Sequence, residues 1–273
     1  MTDRRLWRAN GRVAHSSLQG QLQGVTFTDG TPLRICVPVA DVLAAPDGAL
    51  DRQLIYGDGF TVLEFRDGYA FGFETCSGYV GTVLATELDD LPEPTHRVTS
   101  FGAHLYPERS IKTVPVMTLP FDGMLACFDL RDGFWRTAHG YVPAQQVAPV
   151  TAVDPDTAQT ALRFLGVPYL WGGDSNQGID CSGLIHAALR AAGRECPRDS
   201  DQQAAFFEAI PEGSALQRGD LVFWAGHVAM MLNAETIVHA NGHHMMVTVE
   251  KLDAVAARIQ AAEGKEISKR ARV

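Results

Sequence analysis

The rhythm of hydrophobic and polar positions changes near residue 150. Before that point apolar residues come in short runs cut by Gly, Asp and Pro: TVLEF, YAFGF, GYVGTV, VPVMTL and GMLACF. Runs of this kind, with turn signals about every 8–12 residues, predict short strands in small all-β barrels. The half also looks duplicated. VADVLAAP (39–46) resembles VTSFGAHLYP (98–107). Likewise Asp67-Gly68 precedes Gly78-Tyr79-Val80-Gly81, as Asp132-Gly133 precedes Gly140-Tyr141-Val142-Pro143. A period of about 60 residues is too long for a solenoid and suits two copies of one barrel, with coincidence among turn-rich strands as the alternative.

After the linker AVDPD (152–156) the apolar spacing becomes helical. Asp154 or Asp156 is placed to cap a helix carrying Ala158, Ala161, Leu162 and Leu165, stopped by Gly166 and Pro168. The polar, Gly-rich stretch 171–178 reads as a loop. A second helix is predicted from Cys181 to about Ala192, with Leu184, Ala188 and Ala191 on one face and Gly193 at its end. A third, short helix is predicted over residues 200–209. Beyond Gly219-Asp220 the texture turns to strands: LVFW, HVAMML, TIVHA and MMVTVE. Helices followed by an antiparallel meander make an α+β pattern. The last eighteen residues, AARIQAAEGKEISKRARV, read as helix and then a frayed basic tail without chemistry. The expected organisation is multidomain: an N-terminal segment with a first barrel over 1–92, a second barrel over 93–150, and an α+β domain over 151–273.

Composition narrows the function. The 273 residues suffice for two or three domains and for a core that needs no staples. Twenty-three Lys and Arg against 32 Asp and Glu leave a formal charge of −9. That argues against nucleic acid or an anionic membrane as the main partner, since both need a basic footprint. Five cysteines, odd in number and irregularly spaced, do not look like a disulfide framework. The N-terminal stretch lacks the apolar segment of a signal peptide, and no apolar run approaches the roughly 18 residues of a membrane span. A soluble cytoplasmic protein with reduced thiols is therefore expected. Oligomeric state is not readable.

Among the thiols, Cys181 stands apart. It lies at the first turn of a predicted helix, behind a Gly-rich loop, with Asp180 placed as the cap. Backbone N–H groups and the positive helix end stabilise an anion there, which is expected to lower the thiol pKa. Cys36, Cys76, Cys127 and Cys196 sit in strand or loop contexts and read as passive residues. A cysteine nucleophile needs a base, and the base must be oriented. His227 opens HVAMML after the tight Ala225-Gly226, and His239 lies in TIVHA beyond the turn Asn233-Ala234-Glu235. A hairpin centred near 233 pairs residues whose numbers sum to about 466, which sets His227 directly opposite His239 on one face. Either histidine alone is more often a satisfied structural residue. His239, His243 and His244 also suggest a metal motif, but strand and turn context without carboxylate or Cys partners at ligand spacing disfavours it. No metal or cofactor is expected.

Three segments carry a resemblance. PYLWGGDSNQGIDCSGLI (168–185), GDLVFWAGHVAMM (219–231) and TIVHANGHH (236–244) together resemble the NlpC/P60 cysteine peptidases, in the family's order. The resemblance implies a papain-like α+β domain that hydrolyses peptidoglycan stem peptides next to D-glutamate. It makes Cys181 the nucleophile, His227 the base and His239 the orienting residue, with Tyr169 a donor to the oxyanion or else pocket-wall packing, as Trp171 is. Two SH3-like modules ahead of such a domain resemble the γ-D-glutamyl-L-diamino acid endopeptidases of murein peptide recycling. RQLIYGDGFTVLE (52–64), GYVGTV (78–83) and PRDSDQQ (197–203) extend that match. It implies that Asp58, Tyr79, Asp180, Ser182 and Ser200 surround the free amine of the substrate's L-Ala. Two departures stand out: Asp58 where Glu is usual, and Thr82 where Trp is usual. A non-catalytic murein-binding module, or an amidase or acyltransferase on the same fold, are the alternatives.

Overall fold

The computed structural model describes residues 3–211 and 213–273, and the chain divides into two compact units, Met1–Val150 and Thr151–Val273. No helix among the described residues is long and apolar enough to cross a membrane.

The first unit is all β apart from short 3-10 turns. Its main sheet is antiparallel and seven-stranded, in the order Leu50–Ile55, Val39–Leu43, Val80–Leu84, Tyr69–Glu74, Gly59–Arg66, Thr31–Ile35, Leu88–Asp89. Alternate residues from these strands (Ile35, Val42, Leu54, Phe60, Val62, Val83 and Leu88 among them) fill one core, so the sheet curls around it. Leu63, Phe73 and Val80 point away from that core and pack with Val13, while Arg8 lies 4.1 Å over the Phe73 ring. The N-terminal segment is thereby tied to the outside of the sheet.

A second core follows, built from Val98, Ala103, Leu105, Leu119, Leu125, Val142 and Val147 on shorter strands. Tyr56 of the first module is inserted into it, with its hydroxyl 2.9 Å from His139 Nδ1. Gly57 must be glycine: its φ is +87°, and a Cβ there would lie 2.0 Å from the Met124 carbonyl. Buried Arg97 and Asp122 pair at 2.5 Å. The two β modules are thus knitted into one compact unit.

In the second unit the helices are α1 (Thr157–Leu162), α2 (Cys181–Ala191), α3 (Ser200–Phe206) and α4 (Leu252–Glu263). The strands of its main sheet are β1 (Glu208–Ala209), β2 (Leu221–Trp224), β3 (His227–Met231), β4 (Thr236–Asn241), β5 (Met246–Lys251) and β6 (Lys269–Arg272). All pairs are antiparallel, in the order β1-β6-β2-β3-β4-β5. One face packs Val222, Trp224, Ala229, Met231 and Ile237 against Leu252 and Val255 of α4. Val228, Met230, Val238 and Ala240, of the opposite parity, are fully buried on the other face.

Three expectations change. Asp156 does cap α1, accepting from Gln159 N at 3.0 Å, but the helix ends at Leu162 and Leu165 is exposed. The third helix stops at Phe206, because Glu208 and Ala209 pair with β6 instead of continuing it. The basic tail is not frayed. Residues 269–272 enter the sheet between β1 and β2, with Ala271 fully buried and Arg272 paired to Asp220 at 2.8 Å. Sheet pairing here overrides a composition poor in strand formers.

Candidate active site

Asp180 begins the site. Its Oδ1 accepts from Gly183 N at 2.7 Å, which caps α2, while its Oδ2 accepts from Gly172 N at 2.8 Å and fixes the preceding loop. Gly183 permits this closeness: a Cβ there would meet the Gly173 carbonyl at 2.4 Å. Below lies Arg198, 1% exposed, whose guanidinium donates to Asp174 (2.7 Å), Asp180 (2.9 Å), Ser182 Oγ (2.9 Å) and the Gly173 carbonyl (3.0 Å). Burial disfavours the Arg198 charge, but the two carboxylates outweigh it and raise its pKa. Gln203 of α3 adds a bond to the Ser182 carbonyl at 3.0 Å. The first turn of α2 is therefore held rigidly.

Cys181 opens that turn, and the backbone N–H groups of Val228 and Ser182 act on its thiol, favouring the thiolate. The Val228 contact docks the thiol against the start of β3, one residue beyond His227. The lowered thiol pKa expected from the helix end is reversed. Burial, then the charge of Asp180, push the thiol up to about 12, against the pull of the two N–H groups and Arg198. The helix-end effect is real but local; desolvation wins.

His227 follows the two-residue turn Ala225-Gly226, where Gly226 has φ of +83° and Trp224 pairs with His227. His227 Nε2 lies 2.9 Å from His239 Nδ1. The hairpin register differs from the expected one: Met230 pairs with Val238 and Met231 with Ile237, so paired numbers sum to 468. The Asn233 side chain accepts from Glu235 N and Thr236 N, moving the turn centre by one residue. Extended along the strands, this register sets His239 opposite Ala229, and the histidines meet diagonally. A shift of two in the sum preserves parity, so they still share a face. Burial, followed by His239, Arg258 and Lys265, lowers His227 to about 3.

Behind His239 stand two groups that the sequence did not single out. His239 Nε2 is 2.9 Å from Glu250 Oε2, and Glu250 takes two bonds from Arg258 of α4, at 2.7 and 2.9 Å. Arg258 first, with burial opposing and His239 helping, lowers the Glu250 carboxyl to about 2. Glu250 and Arg258 are eight residues apart across a strand–helix junction, a separation with no fixed geometry, so no sequence signal marked the pair.

Tyr169 is half-buried, and the fields of Cys181 and Asp180 add to burial in raising its phenol. Ser182 is buried between Asp180 and Arg198, and Ser200 is half-buried at the start of α3. Trp171 is largely exposed. Asp58 and Tyr79 belong to the first unit. There Asp58 Oδ2 accepts from Ile55 N at 2.8 Å within a turn, and the Arg52 guanidinium lies 5.4 Å over the Tyr79 ring. Glu74 beside Tyr79 accepts from Cys76 N and Ser77 N. Among the described residues no group of three or more His, Cys, Asp or Glu side chains could hold a metal ion.

A thiol at the mouth of a capped helix, docked beside a hydrogen-bonded histidine pair, is the working arrangement of a cysteine peptidase. Residues 166–262 match the NlpC/P60 family profile. Over 255 residues the chain is 34% identical to the γ-D-glutamyl-L-lysine dipeptidyl-peptidase of Bacillus cereus, covering 87% of this chain and 70% of that one. It is 27% identical to dipeptidyl-peptidase 6 of Lysinibacillus sphaericus, covering 79% and 89%. A crystal structure of an NlpC/P60 family protein from Bacillus cereus superposes with a TM-score of 0.75 over 89% of this chain and 99% of that one, at 21% identity. The chain belongs to the NlpC/P60 family and is a cysteine peptidase.

Proposed function

We propose that the protein hydrolyses the γ-D-glutamyl-L-diamino acid bond of murein peptides that carry a free N-terminal L-Ala, releasing L-Ala-D-Glu. The observation that carries the catalytic part is the 2.9 Å His227–His239 hydrogen bond, together with Cys181 at the first turn of the Asp180-capped helix. The γ-D-glutamyl bond is supported by the name of the Bacillus cereus relative, and the murein peptide with a free amine by the family resemblance of the motifs spanning both halves of the chain. In this reading Met1–Val150 holds two SH3-like modules, and the enzyme works in cytoplasmic recycling of wall peptides.

In the resting enzyme both thiol and imidazole are neutral. As the Cys181 sulfur attacks the γ-carbonyl carbon of D-Glu, His227 takes the thiol proton. The Cys181 N–H at the helix start and the Tyr169 hydroxyl donate to the developing oxyanion. Protonated His227 returns its proton to the departing amine of the diamino acid, leaving a thioester. It then takes a proton from water, the resulting hydroxide attacks the thioester, and the thiol is regenerated. His239 keeps the His227 ring in place throughout.

Asp58, Tyr79, Asp180, Ser182 and Ser200 are assigned to recognition of the substrate's ammonium group. Asp180 Oδ2, bonded once to Gly172 N, keeps acceptor capacity for it. A carboxylate site built for an ammonium ion rejects an amide in its place, so a peptide still attached to the glycan binds poorly. The test is mass analysis of products from L-Ala-γ-D-Glu-diaminopimelate. Release of L-Ala-D-Glu is expected, with none from Cys181→Ala. Equal cleavage of the N-acetylated peptide would remove Asp58 and Tyr79 from recognition.

A further inference from the structure

With His239 neutral, the polar chain behind His227 has one consistent arrangement of protons. Glu250 is gripped side-on by Arg258, Nη1 to Oε1 at 2.7 Å and Nη2 to Oε2 at 2.9 Å, which keeps it an acceptor-only carboxylate. His239 Nε2, 2.9 Å from Glu250 Oε2, must therefore be the donor. His239 is 1% exposed, and burial lowers its pKa against the pull of Glu250, which favours the neutral ring with a single N–H. That hydrogen is used on Glu250, so Nδ1 of His239 is bare and accepts. Its partner at 2.9 Å, Nε2 of His227, must then carry hydrogen. A neutral His227 with hydrogen on Nε2 has its lone pair on Nδ1. The other groups near Glu250 do not disturb this order: His244 Nδ1 stands 3.5 Å from Oε2 and also meets Asn241 Oδ1.

We propose that Glu250, clamped by Arg258, is a positioning residue of this peptidase: it sets the tautomers of both histidines and so makes Nδ1 of His227 the nitrogen that takes the Cys181 proton. The proposal rests on the catalytic reading of Cys181 and His227 given above. When Nδ1 gains the thiol proton, no other proton moves; the imidazolium charge is met through two hydrogen bonds by the Glu250 carboxylate. Outer partners that fix the tautomer of a metal-bound histidine are commonly worth about 10–100-fold, and the same scale is expected here.

Two measurements on the full chain test it. Side-chain ¹H–¹⁵N spectra of the histidines, recorded near neutral pH without substrate, should show His227 protonated at Nε2 and bare at Nδ1. A hydrogen on Nδ1 overturns the proposal, and this result needs no variant to fold. In kinetics on the free murein tripeptide, Glu250→Gln should lower kcat about 10–100-fold with KM within about twofold. The acidic limb of kcat/KM should move to lower pH, because the imidazolium loses its counter-charge. Glu250→Asp, which keeps the charge, should recover part of kcat. A wild-type kcat and acidic limb in Glu250→Gln, a loss confined to KM, or equal losses in both variants would overturn it. Cleavage of the tripeptide by Cys181→Ala, or none by the wild type, would instead sink the catalytic reading while leaving the tautomer result intact.

Discussion

Two polar networks, one buried and one half-buried, meet around the first turn of α2 and the start of β3, and each is built on an arginine. The Arg198 network is closed: its guanidinium spends its donors on Asp174, Asp180, Ser182 and the Gly173 carbonyl, all within the protein. The Arg258 network is open at one end: Arg258 holds Glu250, Glu250 holds His239, and His239 holds His227 beside the thiol. A guanidinium closed on its neighbours in this way fixes their coordinates and takes no part in the chemistry itself. An open network hands a directed lone pair to a reacting atom. The same residue type therefore serves stability in one place and chemistry in the other; Arg198 is fully buried while Arg258 keeps part of its side chain in solvent, and the hydrogen bonds of the second network run toward the thiol.

That contrast can be broken from either side. The largest expected effect is at the open end: Cys181→Ala should lower kcat by about 10⁴-fold or more, with the thermal transition nearly unchanged. Product release followed by mass spectrometry, beside calorimetry, checks both halves. Next, Arg198→Met strands two buried carboxylates and should cost about 3–5 kcal/mol, which lowers Tm by roughly 10 °C in a protein of this size. Arg198→Lys should not restore it, because an ammonium cannot reproduce the planar fork. Should Arg198→Met melt like the wild type in a calorimeter, the closed network would not be the anchor described.

Acid offers a third handle. His227 falls to about 3 on folding, so the unfolded chain, with a histidine near 6.5, binds the proton first. Stability from this group is present above about pH 6.5 and is lost progressively as pH falls toward 3. Glu250, lowered to about 2, has the same sign but a lower window, from about 4.3 down to 2. Tm should therefore fall steadily between pH 7 and pH 4, and in His227→Gln the stability lost over that range should be smaller by on the order of 1–3 kcal/mol. A slope unchanged in the variant would refute the neutral buried histidine. The smallest effect belongs to a surface control: Lys251 and Glu235, both well exposed, pair on β5 and the turn before β4, and Lys251→Met should shift stability by less than about 0.5 kcal/mol.

Features set by neighbours in sequence could be read from the chain before its fold was known. Asp180 as a cap, Cys181 at the first turn, the Gly226 turn ahead of His227 and the shared parity of the two histidines all depend on spacings of a few residues. What escaped depends on tertiary neighbours. Arg198 sits in a Pro-Arg-Asp-Ser stretch that reads as a polar loop, yet its partners lie 18 and 24 residues away. Glu250 occupies what looks like the solvent side of an ordinary strand. Residues 269–272, rich in Lys and Arg, became a strand because β1 and β2 present edges to them. The thiol went wrong in sign for the same reason: the helix end is visible in sequence, whereas the burial that outweighs it belongs to the packed structure.

The placement of that last strand has a consequence for the order of synthesis. β6 lies between β1 and β2, so the edge of Leu221–Trp224 has no partner on that side until residue 272 has left the ribosome. An unpaired, fully apolar edge is a template for pairing with other chains. The sheet that carries His227 is thus completed only when residues 269–272 arrive, so the nascent chain exposes an unpaired strand edge for about fifty residues of translation.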